Sequence, residues 1–286
     1  MLEKPDHQFC LMSFNILYGG THLGQPLEQT AAVIRLAQAN IVVVCEQWGN
    51  AEPLADLLGF TCHIVVAPPY WQSVAVLSRY PILDTFANGV RLELESRQSA
   101  CVFGVHLTST PYQPYQVRDK AYTSNEEILD EARKAREQEL VVVLSEIQPL
   151  MEAGERVLLC GDFNEPSHLD WTQASAREGR HFGLEMSWPN SKRVTESGME
   201  DAYRAVFPDV CRYPGYTWTS VPGLGVGGSE RAEHEVHDRI DFVYHAGPGL
   251  DPISASIIGE NNRNADLVVS PFPSDHRAVA VKYQII

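Results

Sequence analysis

The apolar residues of this chain come in short, β-branched runs, and no strictly apolar stretch exceeds five residues; Ile41–Cys45 (IVVVC) and Leu140–Leu144 (LVVVL) are examples. A membrane-spanning helix needs ~20 such residues, so none is expected. Runs of this length suit buried strands. Strands are predicted at Phe9–Ile16, Ile41–Cys45, Cys62–Val66, Val74–Ser78, Ala100–His106, Val157–Cys160, Arg239–Tyr244 and Ala278–Ile285. Leu27, Ala31, Ile34 and Gln38 carry a helical period, with Pro26 suited to a first turn. Ser124-Asn125-Glu126-Glu127 has capping-box spacing and opens a longer helix through Leu129, Ala132, Leu140, Leu144, Ile147 and Met151, which Pro149 kinks or ends before Gly154. A chain of 286 residues is long enough for two domains, yet it shows no linker, composition shift or repeat. One large α/β domain over residues 1–286 is the simplest organisation.

Charge narrows the partners. Asp and Glu number 37 against 22 Lys and Arg, a formal net of −15. Such a surface repels a phosphate backbone at long range, and nucleic acid is not the favoured partner. The composition, 44% apolar, is that of an ordinary globular protein. Six cysteines show no CxxC pairing, and Cys10, Cys45, Cys101 and Cys160 lie within or at the end of apolar runs. They read as buried small hydrophobes in a reducing, cytoplasmic setting. Phe9–Leu17, interrupted by Ser13 and Asn15, reads as a first strand rather than a signal peptide. Pro222–Ser229 (PGLGVGGS) reads as a mobile surface loop.

The chemistry is expected where apolar strands stop. Asn15 follows CLMSF, Glu46 follows IVVVC, His106 follows CVFGV, and Asp162 and Asn164 follow VLLCG. Asp275-His276 precedes AVAV, and Asp241 lies within Arg239-Ile240-Asp241-Phe242-Val243. Any one of these alone is a cap or a turn residue. Six such places in one chain point to a shared site.

FNI, CE, HL, GDFN, RID and SDH, in this order across residues 9–281, resemble the endonuclease/exonuclease/phosphatase superfamily, the deoxyribonuclease-I-like fold. The resemblance implies a four-layered α/β sandwich, two facing mixed β-sheets flanked by helices, and Mg²⁺- or Mn²⁺-dependent cleavage of phosphate esters. It implies Glu46, with Asn15 and Asp275, as metal ligands, in keeping with the oxygen donors that a hard cation prefers. Asp162 is expected to take a proton from the attacking water, and Asn164 to donate to the transition state. His106 and His276 are expected to bind the phosphate, with Asp241 fixing the tautomer and charge of His276. Cys45 stands where the family usually has Gln, and Gly104-Val105 where it often has Asn-Thr.

The substrate side is less constrained. Thr108–Asp119 holds Pro111 and Pro114 beside the site histidine, with Tyr112, Tyr115 and Arg118 as candidate substrate contacts. Arg118 is expected as a phosphate clamp, or else as a partner of Asp119. With GDFNEPSHLDW, this segment resembles a bacterial branch of the superfamily rather than its repair nucleases. Pro166-Ser167 is expected to start a helix with His168 and Asp170 at the rim, where a second metal is a lesser reading. His237 and Arg239 are placed at the pocket border, and Trp48 and Trp71 near the site. His234-Glu235-Val236-His237 is one residue short of a zincin motif. Arg133-Lys134-Ala135-Arg136 reads as a solvated helix face. The expected activity is hydrolysis of a small phosphodiester or phosphomonoester. A DNA or RNA nuclease is the alternative, and an inactive binding domain on the same fold comes third.

Overall fold

Runs that are apolar at every position become central strands, because both of their faces are covered. The computed structural model describes residues 7–66, 73–222 and 234–286. Its strands are β1 (Gln8–Asn15), β2 (Ile41–Cys45), β3 (Thr61–Ile64), β4 (Ala75–Ser78), β5 (Ile82–Thr85), β6 (Gly89–Glu93), β7 (Ser99–His106), β8 (Val157–Asp162), β9 (Glu200–Asp201), β10 (Asp241–Ala246), β11 (Leu250–Gly259), β12 (Leu267–Val268) and β13 (Ala278–Ile285). They form a seven-stranded sheet, β12-β11-β13-β1-β2-β4-β3, and a six-stranded sheet, β5-β6-β7-β8-β10-β9. Both are mixed: β1–β2 and β7–β8 run parallel, and most other pairs run antiparallel.

Alternation along β1 and β2 sets the layers. Phe9, Leu11, Ile41, Val43 and Cys45 turn into the core shared by the two sheets. Cys10, Met12, Phe14, Val42 and Val44 turn the other way, onto Ala31, Ile34, Leu54 and Ala55 of the helices Leu27–Leu36 and Ala51–Leu58. The long helix Asn125–Glu152 covers the second sheet with Leu140, Val143 and Ile147. The α/β sandwich of two facing mixed sheets is therefore as expected. The sheets approach closely at Gly104, where a Cβ would lie 2.5 Å from Val74 Cγ1 and 3.0 Å from Val43 Cγ1. Any larger residue there would push the layers apart beneath the site.

Some boundaries differ from expectation. The expected strand at Val157–Cys160 continues to Asp162, and the one at Arg239–Tyr244 starts at Asp241 and ends at Ala246. Pro149 stays inside its helix, which ends at Glu152. Ser124 Oγ accepts from the Glu127 N–H, but the Glu127 carboxylate accepts from the Thr123 N–H and hydroxyl, so the box is not reciprocal. No helix starts at Pro166-Ser167; the Ser167 hydroxyl instead accepts from the Leu169 N–H in a turn, and the next helix, Gln173–Arg177, is capped by Thr172. Arg136 is fully buried rather than solvated, donating to Thr108 O, Pro111 O and Gln113 Oε1. It thereby fixes the segment that follows β7. All six cysteines are free, and Cys10, Cys45, Cys101 and Cys160 are buried. Among the described residues no helix is long and apolar enough to cross a membrane. Trp71 and residues 223–229 of the glycine-rich segment lie outside the described residues.

Candidate active site

Strand register assembles the site. In the second sheet His106 lies beside Asp162, and Asp162 lies beside Asp241. The three neighbours share the inner face, because Gly104, two residues before His106, touches the first sheet. In the first sheet Asn15 pairs with Cys45, and Glu46 follows directly. Both sheets thus deliver polar residues to the same end of the sandwich. Gly161 lets β8 run close to β7: its φ is +138°, and a side chain there would collide with Val105 O.

The Asp162 carboxylate is the hub. Its Oδ2 accepts from Asn15 Nδ2 at 3.0 Å and Asn164 Nδ2 at 3.2 Å, and its Oδ1 accepts from the Asn164 N–H at 2.8 Å. His106 Nε2 and His276 Nε2 lie 3.8 and 3.7 Å from the same Oδ2. Those gaps exceed hydrogen-bond length and suit an oxygen held among the three groups. Ser73 Oγ sits 2.6 Å from His106 Nδ1 and also accepts from the Glu46 N–H. A hydroxyl proton donated to Nδ1 leaves the Nε2 hydrogen pointing into the cleft. His276 Nδ1 lies 2.9 Å from Asp241 Oδ2. Burial disfavours the imidazolium, but Asp241 and then Asp162 override it and hold the His276 pKa well above its usual value. Burial pushes the Asp241 carboxyl up to about 6, against the pull of His276.

The divalent metal that the family resemblance implies has fitting oxygen donors here. Asp275 Oδ1 is buried without a hydrogen-bond partner, and burial, opposed in part by His276, raises the Asp275 pKa. An orphaned carboxylate oxygen in the same cleft as Glu46 fits a hard divalent cation. Asn15 fits less well as a ligand: its Oδ1 accepts from the Leu17 N–H at 3.0 Å, while its Nδ2 donates to Glu46 Oε1 and Asp162 Oδ2. The Leu17 N–H fixes that orientation, so Asn15 positions the two carboxylates. Asp162, Asp241 and His276 also bring ligand-type atoms within 4.8 Å of one another. That trio is already joined by the Asp241–His276 hydrogen bond, and a protonated His276 has no lone pair to give.

These groups open into a cleft of about 640 Å³. Tyr112 and Tyr115 line it as expected, together with Trp48. Trp218, which the sequence reading passed over, lines it too and packs on the His276 ring at 4.9 Å. Arg118 does not line it: its Nε and Nη2 pair with Asp119 at 2.8 and 3.1 Å, and its guanidinium lies 4.5 Å from the Tyr115 ring. Its adjacent carboxylate is the nearer partner. Asn164 Nδ2 is engaged by Leu107 O and Asp162, so it orients Asp162 rather than pointing at substrate. Arg239 and Asp170 are not rim residues but a buried ion network, with Arg239 pairing Asp170 at 2.9 Å and Asp201 at 2.8 Å. His237 is not among the lining residues. Ser274 and Thr217 were also missed. Ser274 Oγ donates to Asn15 O, and Thr217 Oγ1 accepts from the N–H groups of Ile240 and Asp241. Lone hydroxyls in loops gave no signal.

A family model described as "Endonuclease/Exonuclease/phosphatase family" matches residues 12–276. The chain belongs to this family. An uncharacterised protein of Caenorhabditis elegans is 27% identical, over 96% of this chain and 91% of its own length. Among solved structures, an endonuclease/exonuclease/phosphatase from Beutenbergia cavernae is similar at TM-score 0.58 and 17% identity, covering 97% of this chain and 72% of that one. The human Nocturnin catalytic domain, with bound sulfate, is similar at TM-score 0.58 and 17% identity, covering 98% and 96%. Truncated C. elegans TDP2 is similar at 0.56 and 16%, covering 97% of both chains. The proteins that this chain resembles thus come from animals as well as bacteria, and the likeness singles out no bacterial branch.

Proposed function

We propose that the protein is a divalent-metal-dependent phosphohydrolase that cleaves a small phosphodiester or phosphomonoester by water attack on phosphorus. The observation that carries this reading is the Asp162 carboxylate, held by three hydrogen bonds with two imidazole Nε2 atoms 3.7–3.8 Å away. Asp162 takes the proton of the attacking water as the new P–O bond forms. The P–O bond to the leaving group then breaks in line with the attack. Nε2–H groups of His106 and protonated His276 donate to phosphate oxygens, whose charge grows in the transition state. Asn15 and Asn164 keep Asp162 in place for that transfer. Glu46 and Asp275 would hold Mg²⁺ or Mn²⁺, which when bound polarises the phosphoryl group and neutralises charge on the leaving oxygen.

A nuclease is the second reading, and the cleft weighs against it. Among the described residues no Lys or Arg lines the cleft, and the chain carries −15 overall. The test is a panel of aryl and alkyl phosphate diesters and monoesters, inositol phosphates, a choline phospholipid and supercoiled DNA, with Mg²⁺ or Mn²⁺. Turnover of small esters, abolished by chelation and restored by the cation, is the expected result. Full activity after exhaustive chelation removes the metal from the reading, and efficient plasmid nicking at physiological salt replaces the small substrate with DNA.

A further inference from the structure

Two loops beside the site hold non-glycine residues in the left-handed region. After β1, Leu17, Tyr18, Gly19 and Gly20 have φ of 55°, 42°, 81° and 77°; after β2, Glu46, Trp48 and Gly49 have 57°, 39° and 88°. Non-glycine residues are strained in this region and persist there where their surroundings impose it. The loops impose it on each other. The Tyr18 N–H donates to Glu46 Oε2 at 3.0 Å, the Gly19 N–H to Glu46 O at 2.7 Å, and Asn50 Nδ2 to Gly19 O at 2.7 Å. The strained pair then presents two large rings to water: Tyr18 is 59% exposed and Trp48 53% exposed. Both line the cleft, so strain and unfavourable exposure coincide beside Glu46.

Three more aromatic residues line the same cleft, Tyr112, Tyr115 and Trp218. Tyr112 and Tyr115 meet edge-on at 5.0 Å, and the Tyr112 hydroxyl donates to buried Asp238 at 2.8 Å. Trp218 is tied to the same residue, its backbone N–H donating to Asp238 O. The charged residues lining the cleft are Glu46, Asp162 and Asp275, apart from histidines, and no described Lys or Arg is there to receive a second phosphate. Resting on the phosphohydrolase reading, the structure assigns to this cleft an ester with one phosphate whose organic group is a flat ring, stacked against the exposed rings of Tyr18 and Trp48. A cleft lined by five aromatic side chains suits a planar group, which can stack on a ring face, better than a saturated one. The acidic lining disfavours further negative charge on the organic group.

Binding tests this without relying on turnover. Calorimetric titration of the Mg²⁺-loaded protein would compare benzylphosphonate, cyclohexylmethylphosphonate and 2-(trimethylammonio)ethylphosphonate. Adenosine 5′-monophosphate and adenosine 3′,5′-bisphosphate would form a second pair. Benzylphosphonate is expected to bind about tenfold more tightly than its saturated analogue, the scale of one base–aromatic stack. Trp48→Ala and Tyr18→Ala are expected to remove most of that difference and Trp48→Phe to retain it, with thermal melts confirming folding. The backbone N–H of residue 18 that holds Glu46 survives substitution. Equal affinity for the flat and saturated ligands, tighter binding of the ammonium phosphonate, or tighter binding of the bisphosphate would each overturn the assignment. If no phosphonate binds and the ester panel is inert, the phosphohydrolase reading itself falls. If esters turn over while ring shape is ignored, only the stacking assignment falls.

Discussion

Asp170 and Asp201 are buried, as are Asp162 and Asp241, but their surroundings differ. Asp170 accepts from Arg204 Nε at 2.7 Å and from Arg239 Nε and Nη2 at 2.9 and 3.0 Å, and Arg239 also reaches Asp201 at 2.8 Å. Two acids meet two guanidinium groups and the charge closes. At the cleft, Glu46, Asp162, Asp241 and Asp275 meet His106 and His276, and among the described residues no guanidinium joins them. Buried charge that is paired serves structure, and buried charge left over is what the proposed cation and phosphate would meet.

Substitutions should break that contrast in opposite directions. Asp162→Asn is expected to lower turnover by ~10²–10⁴-fold, because a positioned proton acceptor is lost. The metal-free melting temperature should hold or rise, since one of several uncompensated charges is gone. Wild-type turnover in that variant would end the assignment of Asp162. Asp170→Ala should do the reverse: it leaves Arg204 and Arg239 buried without their carboxylate, at about 3–5 kcal/mol of stability. Denaturant unfolding measures that loss, and a loss below 1 kcal/mol would show that the network is not what holds this region.

Acid–base behaviour sharpens the comparison on a smaller scale. Burial alone would raise the Asp170 pKa, but Arg204 and Arg239 outweigh it and hold it below its usual value. The stability that Asp170 contributes is therefore present above its unfolded pKa of ~3.9 and lost as pH falls below it. Asp241 carries the opposite sign. With its folded pKa at about 6, its contribution is present below ~3.9 and lost as pH rises through 6. His276 stays protonated through that window, because its own pKa is raised. Melts of chelator-treated protein should show wild type losing ground to Asp241→Asn between pH 4 and 6.5, and a pH-independent difference would contradict the burial described. The smallest effect is expected at Arg118. Its pairing with Asp119 and its place outside the cleft predict less than about a threefold change in kcat/KM for Arg118→Ala, because the guanidinium is already engaged away from the phosphate site.

Fully covered strands were the most legible in the sequence. Ile41–Cys45 and Ala278–Ile285 have the limits expected from their apolar runs, and the register of β7, β8 and β10 explains why polar residues at run ends converge. β11 was missed because Pro252, Ser254 and Ser256 interrupt its period, and its pairing shifts register between Pro252 and Ser254. β5 was missed because three of its four residues are exposed. Asp170 read as a rim residue because its partners lie 34 and 69 positions away, beyond any local pattern. Arg136 read as solvated for the same reason, since it reaches carbonyl groups 25 and 28 residues upstream. Local sequence reports which residues are polar; only the fold reports who neutralises them.

The close approach of the sheets at Gly104 has a kinetic consequence. Val43, Val74, Val105 and Cys45 are all inaccessible to solvent beneath the cleft, and the Cys45 thiol donates to Val105 O at 3.2 Å. The floor beneath the site is therefore packed and dry, and exchange with solvent is left to the sides of the cleft that remain open. On the phosphohydrolase reading, ester and product would share that solvent-facing side, inorganic phosphate should compete with substrate, and release of product would join bond cleavage in setting the turnover rate.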